Sequence, residues 1–148
     1  MDTHLSNFPG ENVYSLKKKG VELGEEIGTG RQGKTHLESL LLVRLITHVY
    51  IYDVNLECAE IFEKESEQKY DIEIEIAPTV AHAVKHADIV QLCTTTIDPI
   101  VFGDWVGPGT HINSVTSYAP TVREVDTVLV LKAKVVADSR VDATRKFQ

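Results

Sequence analysis

Two hydrophobic periods alternate along the chain. Short runs rich in β-branched and aromatic residues predict strands, and apolar residues three and four apart predict helices. Residues 1–20 show no clear periodicity; Pro9-Gly10 marks a turn, and the stretch reads as extended or loosely packed. Residues 21–27 form a first strand leading into a glycine cluster at Gly28. Leu37, Leu40 and Leu41 then give residues 34–43 an amphipathic helical face. Residues 48–53 (HVYIYD) read as a second strand. Asn55 is placed to cap a helix over residues 56–67, with Ala59, Ile61 and Phe62 as its apolar contacts.

The alternation continues to the far end. Residues 72–76 predict a third strand, Pro78-Thr79 open a short helix through residue 86, and residues 89–92 give a fourth strand. Residues 110–115 predict a fifth strand, 125–131 a helix and 135–138 a last strand. Strands alternating with helices imply right-handed crossovers and a parallel sheet. The expected fold is therefore α/β: a Rossmann-like, doubly wound, mostly parallel sheet of about six strands.

Composition narrows the function. The chain has 148 residues, 43% of them hydrophobic, which suits one domain with a real core. Two domains of usual size do not fit that length. Fifteen basic against twenty-two acidic residues leave a net charge of −7, the wrong sign for non-specific nucleic-acid binding. Lys17-Lys18-Lys19 reads as a solvated run. No signal peptide and no apolar run of membrane-spanning length is visible, so a cytoplasmic protein is expected, without membrane or nucleic-acid partners. Cys58 and Cys93 lack metal or redox spacing and read as buried small hydrophobes in a reducing compartment.

The glycine cluster carries the chemistry. Gly28-Thr29-Gly30-Arg31-Gln32-Gly33 is a G-x-G-x-x-G pattern between a predicted strand and a predicted helix. Gly28 would allow the tight turn, Gly30 close approach of a pyrophosphate, and Gly33 close packing of helix on sheet. The helix N-terminus would hold the phosphate charge. Asp53 stands at the end of the second strand, twenty-five residues after Gly28. A carboxylate there accepts hydrogen bonds from ribose hydroxyls and repels a 2′-phosphate, favouring NAD(H) over NADP(H). The same stretch, G-T-G-R-Q-G-K-T, also satisfies the P-loop pattern, with Lys34 on phosphates and Thr35 on Mg²⁺ of ATP or GTP. On local pattern both readings stand.

The wider sequence resembles the ornithine cyclodeaminase/μ-crystallin family. The resemblance is carried by IGTGRQGKTHLESLLLVR (27–44), HVYIYDVN (48–55), ADIVQLCTTTIDPIV (87–101), GDWVGPGTHINSV (103–115) and YAPTVREVDTVLVLKAKVVADSR (118–140). It implies an NAD(H)-binding Rossmann domain of proteins acting on amino or imino acids: ornithine cyclodeaminase (a lyase), alanine dehydrogenase and cyclic imine reductase. By that resemblance Thr29, Arg31 and Gln32 line the pyrophosphate and Asp53 holds the adenosine ribose. Thr94, Thr95 and Thr96 lie along the nicotinamide half, with Asn113 and Val115 on the same carboxyl edge. No catalytic or metal-binding residue is assigned.

The departures are as informative. Family chains are about twice as long, with a substrate and dimerisation domain. Residues 1–20 read as a poorly structured remnant of that domain and residues 21–148 as the NAD(H)-binding domain. A small amino or imino acid then binds only if the missing domain is supplied, a homodimer belongs to the full-length family, and little turnover is expected of this chain alone. Two further readings stay open: the P-loop phosphate binder, and a non-catalytic binding protein of the μ-crystallin type. Tyr118 replaces an Asp of the cyclodeaminases, which argues against ornithine cyclodeamination, and Thr116 replaces a usual Gly.

Glu25 and Glu26 replace apolar residues in the first strand, which predicts a frayed, shifted or bulged strand. His82 and His86 lie four apart but lack a third ligand. His36 is expected at the surface or as a cap, and His111 as structural. Trp105 is expected in a pocket beside the sheet, and Arg123 with Glu124 in a surface pair or interdomain contact.

Overall fold

The computed structural model describes residues 3–7, 23–27, 31–85, 87–115 and 121–137. In chain order these form β1 (Thr3–Asn7), β2 (Leu23–Ile27), α1 (Arg31–Val43), β3 (His48–Tyr52), α2 (Leu56–Lys69) and β4 (Glu73–Ile76). They continue with α3 (Val80–Val84), β5 (Ile89–Leu92), β6 (His111–Ser114), α4 (Thr127–Lys132) and β7 (Ala133–Ala137). The strands build a seven-stranded sheet in the order β4-β3-β2-β5-β6-β1-β7. Every pairing between these strands is parallel. This is the doubly wound α/β architecture expected from the sequence, with one strand more.

The extra strand is β1. It lies between β6 and β7, with His4 level with His111 and Lys134. Thr3–Asn7 is thus a strand of the sheet, in a stretch that the sequence reads as extended or loosely packed. β2 also departs from expectation. It pairs residue for residue with β3, from Leu23↔His48 to Ile27↔Tyr52, and with β5, from Gly24↔Ile89 to Ile27↔Leu92. Its backbone register carries no shift and no bulge at Glu25 or Glu26. Ladders on both sides satisfy its backbone polar groups whatever its side chains are.

Helices cover both sheet faces. Val49 and Ile51 of β3, Ile74 of β4 and Ile89 of β5 pack with Leu37 and Leu40 of α1 and with Ala59 and Phe62 of α2. Val90 and Leu92 of β5 and Ile112 of β6 pack on the other face with Val84, Val101, Val125 and Leu129. Successive strand residues point to opposite faces, so Ile89 and Val90 belong to different cores. This is why β5 is buried throughout and reads as one apolar run. Burial of each large core side chain contributes about 1.5–3 kcal/mol.

Helix starts follow local chemistry. Asn55 Oδ1 accepts from the Glu57 N–H (3.0 Å) and caps α2, as its sequence position predicts. Thr79 caps α3, and Asp126 caps α4. Asp126 also explains why α4 starts later than the pattern suggests. Val125 forms a parallel bridge with Val101, so the chain is extended up to the cap. Some expected contacts fail. Ile61 is 47% exposed while Ala59 and Phe62 are buried. Cys58 is exposed and Cys93 intermediate, so neither is a fully buried hydrophobe.

Candidate functional site

Strand order reverses between β2 and β5: from β2 the chain winds outward to β3 and β4, and β5 opens the other half. In such sheets the crevice at the carboxyl ends of the strands beside the reversal receives ligands. The residues around that crevice come from separate elements. Gly28, Thr29 and Gly30 lie outside the described residues. α1 begins immediately after them, with Arg31 and Gln32 exposed, Gly33 buried and no acid in its first turn. Its thirteen residues bring a helix N-terminus and its positive dipole end to this edge, a setting that suits a phosphate.

Asp53 follows β3 on the same edge and is half-buried. Its Oδ1 accepts from the Asn55 N–H at 2.9 Å, which fixes the carboxylate at the head of α2. Thr94, Thr95 and Thr96 follow β5, Thr95 exposed and the others intermediate. Thr96 donates to the Asp98 carbonyl at 2.8 Å. Val115 follows β6, and its N–H reaches the Leu92 carbonyl at 3.3 Å, joining the ends of β5 and β6. Asn113 sits one step inside the strand. It is buried, level with Gln91, and its Oδ1 is 3.0 Å from His111 Nε2. The structure thus brings Asp53, the threonines and Val115 to one edge and places Asn113 below it.

Glu124 is the residue the sequence misreads. It is fully buried, not part of a surface pair. Its Oε1 accepts from the Thr94 N–H and the Thr94 hydroxyl, both at 2.8 Å. Its Oε2 accepts from the Ser114 hydroxyl at 2.7 Å and the Val115 N–H at 3.1 Å. Its own carbonyl accepts from the Ile100 and Val101 N–H groups at 2.9 and 3.1 Å. A buried carboxylate is tolerated when donors satisfy it in this way. Arg123 instead donates to the Thr127 hydroxyl at 3.0 Å. The available signal was the acid in R-E-V-D, next to a valine that the core needs.

His36 is a second correction: it is 8% exposed, neither surface nor cap. Burial lowers its pKa, while a hydrogen bond to Gln91 and the charge of Glu124 raise it in part. Gln91, the polar residue in an apolar strand, is the signal for such a partner. Trp105 lies against the core as expected, edge-on to Phe102 at 4.7 Å. Among the described residues no group of three or more His, Cys, Asp or Glu is placed to hold a metal. His82 lies edge-on to Tyr50, and His86 is outside the described residues.

The P-loop reading finds no support in the helix. Lys34 Nζ pairs with Glu65 of α2, and the Thr35 hydroxyl reaches back to the Arg31 carbonyl at 3.3 Å. Lys34 is thus paired across to α2 and Thr35 back along α1.

Comparison with known proteins agrees with this geometry. The family model described as the ornithine cyclodeaminase/mu-crystallin family matches residues 14–146. The chain belongs to this family.

Ketimine reductase mu-crystallin of Rattus norvegicus is 31% identical over 131 residues, 88% of this chain and 41% of the relative. Delta(1)-pyrroline-2-carboxylate reductase of Thermococcus litoralis, solved with NADH and L-proline, is 37% identical with a TM-score of 0.80. That match covers 84% of this chain and 38% of the reductase. An archaeal alanine dehydrogenase dimer with bound NAD is 32% identical with a TM-score of 0.81, over 88% of this chain and 40% of that one. This member of the ornithine cyclodeaminase/mu-crystallin family therefore spans about 40% of the length of such relatives. No helix among the described residues is long and apolar enough to cross a membrane. Tyr118 and Thr116, the departures from the family pattern, lie outside the described residues.

Proposed function

We propose that this chain is the NAD(H)-binding domain of an amino- or imino-acid oxidoreductase. The carrying observation is Asp53, which follows β3 beside the strand-order reversal with its carboxylate fixed by the Asn55 N–H. The donor set fits a dinucleotide. The segment Gly28–Gly33 and the α1 N-terminus would hold the pyrophosphate, with Arg31 and Gln32 at its flank. Asp53 would take the adenosine ribose hydroxyls and disfavour NADP(H). Thr94, Thr95, Thr96 and Val115 would border the nicotinamide half, with buried Asn113 supporting that edge. Bound NAD(H) supplies hydride chemistry, and the protein supplies binding and orientation.

The substrate class is a small amino or imino acid, presented by parts of the family chain outside the matched region. Positioning supplies much of the rate of such a transfer, so turnover by these residues alone is expected to be negligible. Tyr118 argues for a reductase or dehydrogenase and against ornithine cyclodeamination, the lyase reaction. A homodimer of the family kind and a cytoplasmic location complete the proposal. Cys58 and Cys93 form no disulfide, which suits a reducing compartment.

The test is a fluorescence titration with NADH, with NADPH and Mg-ATP as controls. NADH is expected to bind most tightly. Binding of Mg-ATP alone would return the P-loop reading. NADH binding without turnover, together with a specific small apolar ligand, would favour a non-catalytic binding protein.

A further inference from the structure

We propose that Glu124 is a positioning residue that sets the nicotinamide end of the site without touching the cofactor. This rests on the NAD(H) reading above. The two strands whose carboxyl ends border that half, β5 and β6, already pair through their backbones. Beyond their last paired residues, Leu92 and Ser114, that ladder gives way to the threonine segment and to Val115. Glu124 acts at this point. One carboxylate oxygen holds Thr94 through both its N–H and its hydroxyl, and the other holds Ser114 and Val115. The carboxylate is a brace of fixed length across the ends of the two strands.

The brace is itself anchored. The Glu124 carbonyl takes the N–H groups of Ile100 and Val101, and the Asp126 N–H returns to the Val101 carbonyl at 3.0 Å. The side chain is therefore held from behind by its own backbone and from the front by its donors. A fully buried carboxylate is costly unless it is needed and satisfied. An apolar residue here would fill space but leave the Thr94 amide short of an acceptor and the Val115 amide with only the Leu92 carbonyl at 3.3 Å.

The brace has a second consequence, for hydrogen-bond polarity. The Thr94 hydroxyl commits its proton to Oε1 at 2.8 Å. What Thr94 Oγ1 can offer a ligand is then an acceptor only. It suits a group carrying N–H or O–H, such as a carboxamide NH₂, and disfavours a bare carbonyl or carboxylate. Glu124 thus fixes both the position of Thr94 and the sense of the bond it can make.

The experiment separates this from a general loss of structure. Glu124→Gln keeps the size but replaces one acceptor oxygen with an NH₂ group, so one side of the brace loses its partner. NADH and ADP-ribose are each titrated into the wild-type chain and E124Q. ADP-ribose carries the adenosine and pyrophosphate groups but lacks the nicotinamide. NADH affinity is expected to fall at least about tenfold while ADP-ribose affinity changes less than about twofold. Equal losses for both ligands, or no loss for either, would overturn the inference. If E124Q shows no cooperative thermal transition, S114A carries the same test, because it removes one donor and keeps the carboxylate. Its NADH to ADP-ribose ratio is expected to move the same way by a smaller factor, and an unmoved ratio counts against the brace. A wild-type chain that binds neither ligand overturns the NAD(H) reading itself, and the inference falls with it.

Discussion

A Cβ on Gly103 would stand 2.7 Å from the backbone nitrogen of Leu129 and 2.9 Å from its Cα. The contact is with the backbone of α4, so no side-chain rotation relieves it. The same two residues share an acceptor: Gly103 N–H and Leu129 N–H both donate to Asp126 Oδ1 at 2.9 Å. The loop after Val101 is therefore pressed onto the first turn of α4. Gly103→Ala is expected to cost about 1–3 kcal/mol, as overpacking does. That lowers the melting temperature by about 3–10 °C. A thermal melt superimposable on wild type would show that loop and helix part without cost.

Asp126 should report on the same junction from the other side. Asp126→Ala removes the α4 cap and the partner of the Gly103 N–H, and is expected to cost about 1–2 kcal/mol. Asp126→Asn keeps an acceptor oxygen and should recover most of that loss. Denaturant midpoints of the two variants check the ordering, and a D126N as unstable as D126A would contradict it.

His36 gives a pH signature. Burial holds its folded pKa below the ordinary histidine value of 6.5, with Gln91 and Glu124 opposing in part. Between the folded pKa and 6.5 the unfolded chain binds more protons, so stability is full above 6.5 and is lost as pH falls through that window. His36→Gln removes this component. Melting temperatures of both proteins from about pH 7.5 to 5 should show a steeper acid loss for wild type. Parallel curves would mean that His36 does not contribute to the acid limb.

Local chemistry was legible in the sequence, and contact between distant segments was not. Asn55 and Thr79 announce helix starts because a cap acts within three residues. Leu37 with Leu40, and Val49 with Ile51, announce buried faces because periodicity is local. The edge carrying Asp53 and the threonines follows from the alternation of strands and helices. Glu124 was invisible because its burial depends on donors at Thr94, Ser114 and Val115, brought together only by the pairing of β5 with β6. His36 was misplaced for the same reason, since its partner Gln91 lies on another element. Thr3–Asn7 carries no periodic signal, and its place between β6 and β7 is a pairing with strands more than a hundred residues away.

The unbroken register of β2 makes Glu25 and Glu26 a stability question rather than a question of shape. Glu25 is level with Tyr50 and Val90, and Glu26 with Ile51 and Gln91. A strand paired on both sides and flanked by two apolar cores favours β-branched residues. Replacing both glutamates with isoleucine is expected to raise the melting temperature by several degrees, because β-branched residues suit a strand paired on both sides better than glutamate does. A lower melting temperature in the double variant would show that the carboxylates have partners the protein needs.

Asp53 offers the sharpest test of cofactor choice. Its carboxylate is anchored by the Asn55 N–H at the carboxyl end of β3, where an adenosine ribose is expected. Hydrogen bonds to a charged acceptor contribute about 1.5–3 kcal/mol each, so Asp53→Ser should weaken NADH binding by about tenfold or more. The same change removes a negative charge facing a 2′-phosphate. NADPH affinity should therefore hold or rise, and the NADH to NADPH preference should shrink by at least the NADH loss. Titration of both reduced cofactors into wild type and D53S measures that ratio directly. A ratio that stays at its wild-type value would place the ribose away from β3 and remove Asp53 from the site.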